Sequence, residues 1–175
     1  MRVIASPAPT ARQHSDEAGG LEIVLVVDCS PDDSLAVCKK LAAEPGAPVT
    51  VDSRLREMSF GVWEGHTLAE LRQTVGEKFL DAERRGLDFH PPGGESPRLV
   101  MERIGNWAAE TARTGAPVVA VSHKAAIRAL LALATGWDMT GRQPVKLDWR
   151  CVHFFATDVD GTVRLERPNV PLVTA

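Results

Sequence analysis

Apolar positions along the chain fall into two rhythms. Short unbroken runs, "RVIAS" (2–6), "LEIVLVVDCS" (21–30), "APVTVDSRL" (47–55) and "APVVAVSH" (116–123), predict buried strands. Between them, "DDSLAVCKKLAAE" (32–44), "TLAELRQTVGEKFLDAERRG" (67–86) and "SPRLVMERIGNWAAETARTG" (96–115) repeat their apolar residues at helical spacing. Ser96 is placed as an N-cap with Pro97 at the first helical position, and Gly115 follows the end. Ala125 to Leu133 reads as a further helix, "DFHPPGGES" (88–96) as a loop, and "CVHFFATDVDGTVRLERP" (151–168) as a hairpin turning at Asp160-Gly161. This order predicts an α/β fold: one domain over residues 1–175, a three-layer sandwich whose mainly parallel central sheet carries helices on both faces. Ligands in such folds collect at the carboxyl ends of the strands, where Ser6, Ser30 and His123 are expected.

Composition narrows the partners. The chain has 175 residues, 44% apolar and 25% charged, with a net charge of −3. That balance argues against nucleic acid or an anionic membrane as the main partner. No apolar run approaches the ~20 residues of a membrane span. The first residues, broken by Pro7 and Pro9, do not resemble an export signal, so a cytoplasmic location is expected. Three cysteines, Cys29, Cys38 and Cys151, read as reduced thiols, and their spacing suits no metal site. No cofactor is implied.

Five stretches taken together carry more. "LREMSFGVWEG" (55–65), "PPGGES" (91–96), Arg103 eight residues after Glu95, "VVAVSHKAAIRALLALA" (118–134) and "LERPN" (165–169) resemble, in order and spacing, the histidine phosphatase or phosphoglycerate-mutase-like superfamily. The resemblance covers about residues 21 to 175. It implies a phosphoryl-transfer site in which a histidine after the first strand attacks phosphorus. Such a reaction needs a neutral imidazole in line with the leaving oxygen, cations around the equatorial oxygens, and an acid for the departing alkoxide. It also implies that His123 is the second histidine, bonded to the phosphoryl group, and that Glu95 is the proton donor. Trp63 and Glu64 would be largely structural, and Arg103 would support the fold by pairing with a carboxylate.

The chain departs from the family at its N-terminal end. Members carry Arg-His-Gly, an acid and Thr after the first strand. With Thr10 in the threonine's place, Ser6, Pro7, Ala8 and Pro9 replace the other four, and Gln13 falls where asparagine is usual. Shifted by one residue, Pro7, Ala8 and Pro9 stand over Arg-His-Gly. Neither register supplies a histidine; His14 lies four residues past Thr10. In "SPDDSLA", Ser34 takes the position of a phosphate-binding arginine, and Asp32 and Asp33 add negative charge that also suits a helix start.

The expectation is therefore a catalytically impaired phosphatase fold that binds a small phosphorylated or anionic ligand or a protein partner. Ser6, Thr10, Ser30, Ser34 and Lys124 are its candidate ligand-binding residues, and His123 and Glu95 are vestigial catalytic residues. Two alternatives stay open. One is an active phosphomonoesterase with a rearranged nucleophile, such as Ser6 with His123 as base. The other is a pocket using Glu95 and His123 as acid and base in non-phosphoryl chemistry. A homodimer also stays open.

Overall fold

The computed structural model describes residues 2–5, 22–25 and 49–171, the first two segments as backbone alone. Strands β1 (Arg2–Ala5), β2 (Glu22–Leu25), β3 (Val49–Val51), β4 (Val118–Ser122), β5 (Cys151–Thr157) and β6 (Val163–Pro171) form one sheet in the order β3-β2-β4-β1-β5-β6. Among the described residues, four helices of at least seven residues accompany them: α1 (Leu68–Thr74), α2 (Glu77–Glu83), α3 (Pro97–Ala112) and α4 (Lys124–Thr135). The α/β class read from the sequence is therefore observed. The helix expected over 32–44 lies outside the described residues, as do Ser6, Thr10, Ser30 and Ser34.

The sheet is mixed. β2 runs parallel to both β3 and β4, and β1 parallel to β5, but β1 is antiparallel to β4 and β5 to β6. The β5–β6 reversal is the expected hairpin; its turn runs from Asp158 to Thr162, with Gly161 at φ 89°. The direction of β1 differs from the expectation. Arg2 pairs with Ser122 and Ala5 with Val119, so the carboxyl end of β1 faces the edge of the sheet opposite to His123. β2 keeps the expected sense, with Leu25 level with Val121. Apolar runs of this length do not encode strand direction, which is set by long-range pairing.

The helices follow their local chemistry. Thr67 and Glu70 make a reciprocal capping box at the start of α1. The single helix expected over 67–86 is two, because Gly76 takes φ 66° and ψ −137°, outside any helical geometry. Ser96 caps α3 through Leu99 N–H with Pro97 in the first turn, as the sequence implied. α4 ends on Gly136 in the left-handed conformation. The expected strand over 47–55 shortens to three residues, because Asp52 turns the chain by accepting Arg54 N–H. α3 and α4 pack on each other and on the sheet through Val100, Ile104, Trp107, Ile127, Leu130, Leu131 and Phe155. That core holds the start of α4 firmly at the carboxyl end of β4.

Candidate functional site

β4 buries four of its five residues, and Ser122, at its end, donates a 2.7 Å hydrogen bond to Leu55 C=O. This bond fixes the 52–59 segment beside the end of β4. His123 follows as the N-cap of α4, in extended backbone and half-buried. Its imidazole makes no hydrogen bond to the described residues, and its C=O accepts from Ile127 N–H. The next free helical N–H, that of Ala125, donates to Glu57 Oε1 at 3.0 Å. The same oxygen accepts Met58 N–H. A carboxylate here satisfies an orphan donor and matches the positive end of the helix dipole. The acid brought beside His123 is thus Glu57, two residues after the buried Leu55.

Glu95 is placed differently. Its Oε1 accepts from Arg103 Nε at 3.0 Å and Arg56 Nη2 at 2.5 Å; its Oε2 accepts from Arg103 Nη2 and Ser59 N–H, both at 3.1 Å. Burial pushes its carboxyl up, but Arg103, the Ser59 amide and Arg56 together outweigh this and hold it below the ordinary glutamate value. Two further Arg103 donors go to Arg54 C=O and Glu57 C=O. Arg103 does pair with a carboxylate, and the pair clamps the 54–59 segment to the start of α3. Glu57 reaches α4 from that clamped segment.

The two glycine-bearing motifs prove to be halves of one joint. A Cβ on Gly61 would lie 2.2 Å from Pro92 C=O, and one on Gly94 would lie 2.5 Å from Ser59 C=O. Backbone contact this close leaves no room for a side chain, which explains both "FGVWEG" and "PPGGES". Glu95 N–H to Ser59 C=O and Val62 N–H to Pro92 C=O close the joint. Trp63 packs edge-on to Phe79 and near Phe89, and Glu64 accepts from Ser59 Oγ. Gly94→Ala is expected to cost about 2 kcal/mol or more in a denaturant melt, through forced backbone displacement. Gly93→Ala, whose Cβ meets nothing within 4 Å, is expected to cost only the left-handed φ, about 1 kcal/mol.

Of the residues expected at the site, the structure brings His123 and Lys124 to one end of α4 and places Glu95 behind the Arg103 clamp. Lys124 is exposed, its Nζ 5.9 Å from the Trp149 ring centroid. The described part of β1 stops level with Val119, four residues short of His123, or about 13 Å along the strand. The other described histidines stand elsewhere. His66 is exposed, His90 Nε2 lies 3.1 Å from Gly94 C=O, and His153 is buried in β5 with Nδ1 accepting Asn169 N–H. No group of three metal-ligating side chains occurs among the described residues, and none of their helices is long and apolar enough to cross a membrane. Glu57 was not singled out by sequence reasoning. It lies inside the quoted "LREMSFGVWEG", but no spacing rule shows that it bonds to an amide 68 residues away.

Known proteins can be set beside this geometry. A family model for the histidine phosphatase superfamily (branch 1) matches residues 35–170. A bifunctional protein of Mycobacterium tuberculosis is 37% identical over 141 residues, covering 77% of this chain and 36% of its own. Glucosyl-3-phosphoglycerate phosphatase of Mycolicibacterium vanbaalenii is 32% identical over 134 residues, covering 67% of this chain and 58% of its own. Among solved structures, a mycobacterial glucosyl-3-phosphoglycerate phosphatase superposes with TM-score 0.64 at 26% identity, over 86% of this chain and 78% of that one. The chain spans about a third or less of the length of the first curated relatives it matches. The family match over most of its length, with the His123 and Glu95 motifs in place, establishes that this chain belongs to the histidine phosphatase superfamily.

Proposed function

We propose that this protein is a phosphatase-fold binding protein with little or no phosphatase activity, which takes up a small phosphorylated or anionic ligand or a protein partner. One observation carries the reading: β1 runs antiparallel to β4, so the strand expected to bring a nucleophile to His123 ends at the far edge of the sheet. The sequence supports it, since Pro7, Ala8 and Pro9 follow that strand in place of a histidine and its neighbours. Proline has neither a nucleophilic side chain nor an N–H for phosphate. His123 and Lys124 then form the remainder of a phosphate site, with Ser30 and Ser34, which follow the parallel strand β2, as further ligand contacts. Glu95 belongs to the frame of that site. A three-layer sandwich with a mainly parallel sheet and a cytoplasmic location go with this reading.

The test compares initial rates on a panel of phosphomonoesters for the wild-type chain and His123→Ala. Equal rates at background are expected. Turnover by the wild type that disappears in His123→Ala would favour an active phosphomonoesterase with a rearranged nucleophile. In parallel, phosphorylated metabolites are screened by thermal shift. A ligand at 100 times its Kd adds roughly 2.7 kcal/mol of stability.

A further inference from the structure

Although the chain carries a net charge of −3, residues 124–147 hold four cations, Lys124, Arg128, Arg142 and Lys146, against one acid, Asp138. Asp138 is occupied: its Oδ1 accepts from Thr140 N–H and Oγ1. None of the four cations forms an ion pair among the described residues. Just beyond, Asp148 and Arg150 pair with each other.

The fold brings two of these charges, Lys124 and Arg128, to one side of α4. Lys124 and Arg128 stand four residues apart on α4 and so share one side of it. The connection from α4 to β5 runs back along that side. Trp137, near its start, lies under Arg128, with Cζ 5.2 Å from the ring centroid; Trp149, near its end, lies by Lys124. Arg142 and Lys146 belong to the stretch between the two indoles. Arg128 is the exceptional member. Its Nε is shielded from solvent, yet it meets no protein acceptor. A guanidinium offers five N–H donors in a planar fork; with Nε shielded, the Nη groups of Arg128 are the ones an oxyanion would reach. Burial also pulls its acidity in the direction that an arriving anion would reverse.

We propose that the Lys124–Arg128 side of α4, with its flanking connection, is a second anion-binding site that receives a phosphoryl or carboxyl group of a small molecule. Arg128 is its anchor and Lys124 its supporting charge. It adjoins the cleft at His123, with which it shares Lys124, but its anchor, Arg128, stands one turn farther along α4.

The side-chain ¹H–¹⁵N resonance of Arg128 Nε reads the site directly, with inorganic phosphate as probe and chloride at matched ionic strength as control. The resonance is expected to shift saturably with phosphate and to do the same in His123→Ala. Arg128→Lys keeps the charge but loses the fork, and is expected to weaken phosphate binding at this site about tenfold, followed through the Trp137 indole resonance. Lys124→Gln is expected to weaken it about threefold. No shift beyond that given by chloride would overturn the proposal. A shift that vanishes in His123→Ala would do so too, by assigning the anion to the cleft.

Discussion

Set against a superfamily member that carries the strand-end histidine, this chain is expected to hydrolyse p-nitrophenyl phosphate about 10⁶-fold more slowly. Loss of the nucleophile in a well-studied hydrolase costs about that factor in kcat, or roughly 8 kcal/mol of barrier. Phosphoryl transfer leaves the protein mainly positioning and charge stabilisation to perform, so absent cations add to the deficit. By the sequence resemblance alone, Ser34 is expected in the place of a phosphate-binding arginine. Glu57, the acid beside His123, is already bonded to the Ala125 amide. Within the described residues nothing offsets a loss of that size. Steady-state rates on the two purified proteins, in one buffer, make the comparison.

Arg103→Met is expected to be the most destabilising single change at the site, by about 3–5 kcal/mol. Side-chain exposure is 11% for Arg103 and 14% for Glu95, so removing Arg103 leaves only Arg56 and the Ser59 amide to balance a carboxylate that little water reaches. The change also frees Arg54 C=O and Glu57 C=O, which Arg103 holds. For a chain of this length, a loss on that scale lowers the melting temperature by roughly 10 °C. Arg98→Met is the control. Its ion pair with Asp88 is more than half exposed on both sides, and its loss is expected to leave the melt nearly unchanged. The clamp also predicts a pH dependence. Glu95 is held below its ordinary value near 4.5, so the folded state binds its proton less readily than the unfolded state. The stability this adds is complete above the unfolded value and shrinks as pH falls through it. It is gone once pH passes the folded value. Denaturant melts below about pH 4.5 are expected to show a shallower acid slope in Arg103→Met than in the wild type. Equal damage from Arg98→Met and Arg103→Met would remove the clamp from the account.

Much of this was legible in the residues because the signals were local. Ser96-Pro97 announced the start of α3, Gly136 closes α4, and Asp160-Gly161 marked the hairpin turn. His123 could be placed from an apolar run followed by helical spacing. What failed depended on distant parts of the chain. Gly76 looks tolerable inside a helical pattern, yet its positive φ divides the helix. The sense of β1 follows from which neighbours it pairs with, and three apolar residues after an arginine carry no arrow. The motif marks Glu95 as an acid by resemblance, and only the folded chain shows its pairing with Arg103, Arg56 and the Ser59 amide. Glu57 sits in the same quoted motifs, but its meaning comes from the amide of Ala125, which only the folded chain brings near.

The most direct test of the central claim is a search for a phosphorylated enzyme. The purified chain would be mixed with p-nitrophenyl phosphate, quenched rapidly in alkali to preserve any phosphohistidine, and weighed intact by mass spectrometry. The unmodified mass is expected at every mixing time. A stoichiometric gain of one phosphoryl group, on any histidine or serine, would contradict it.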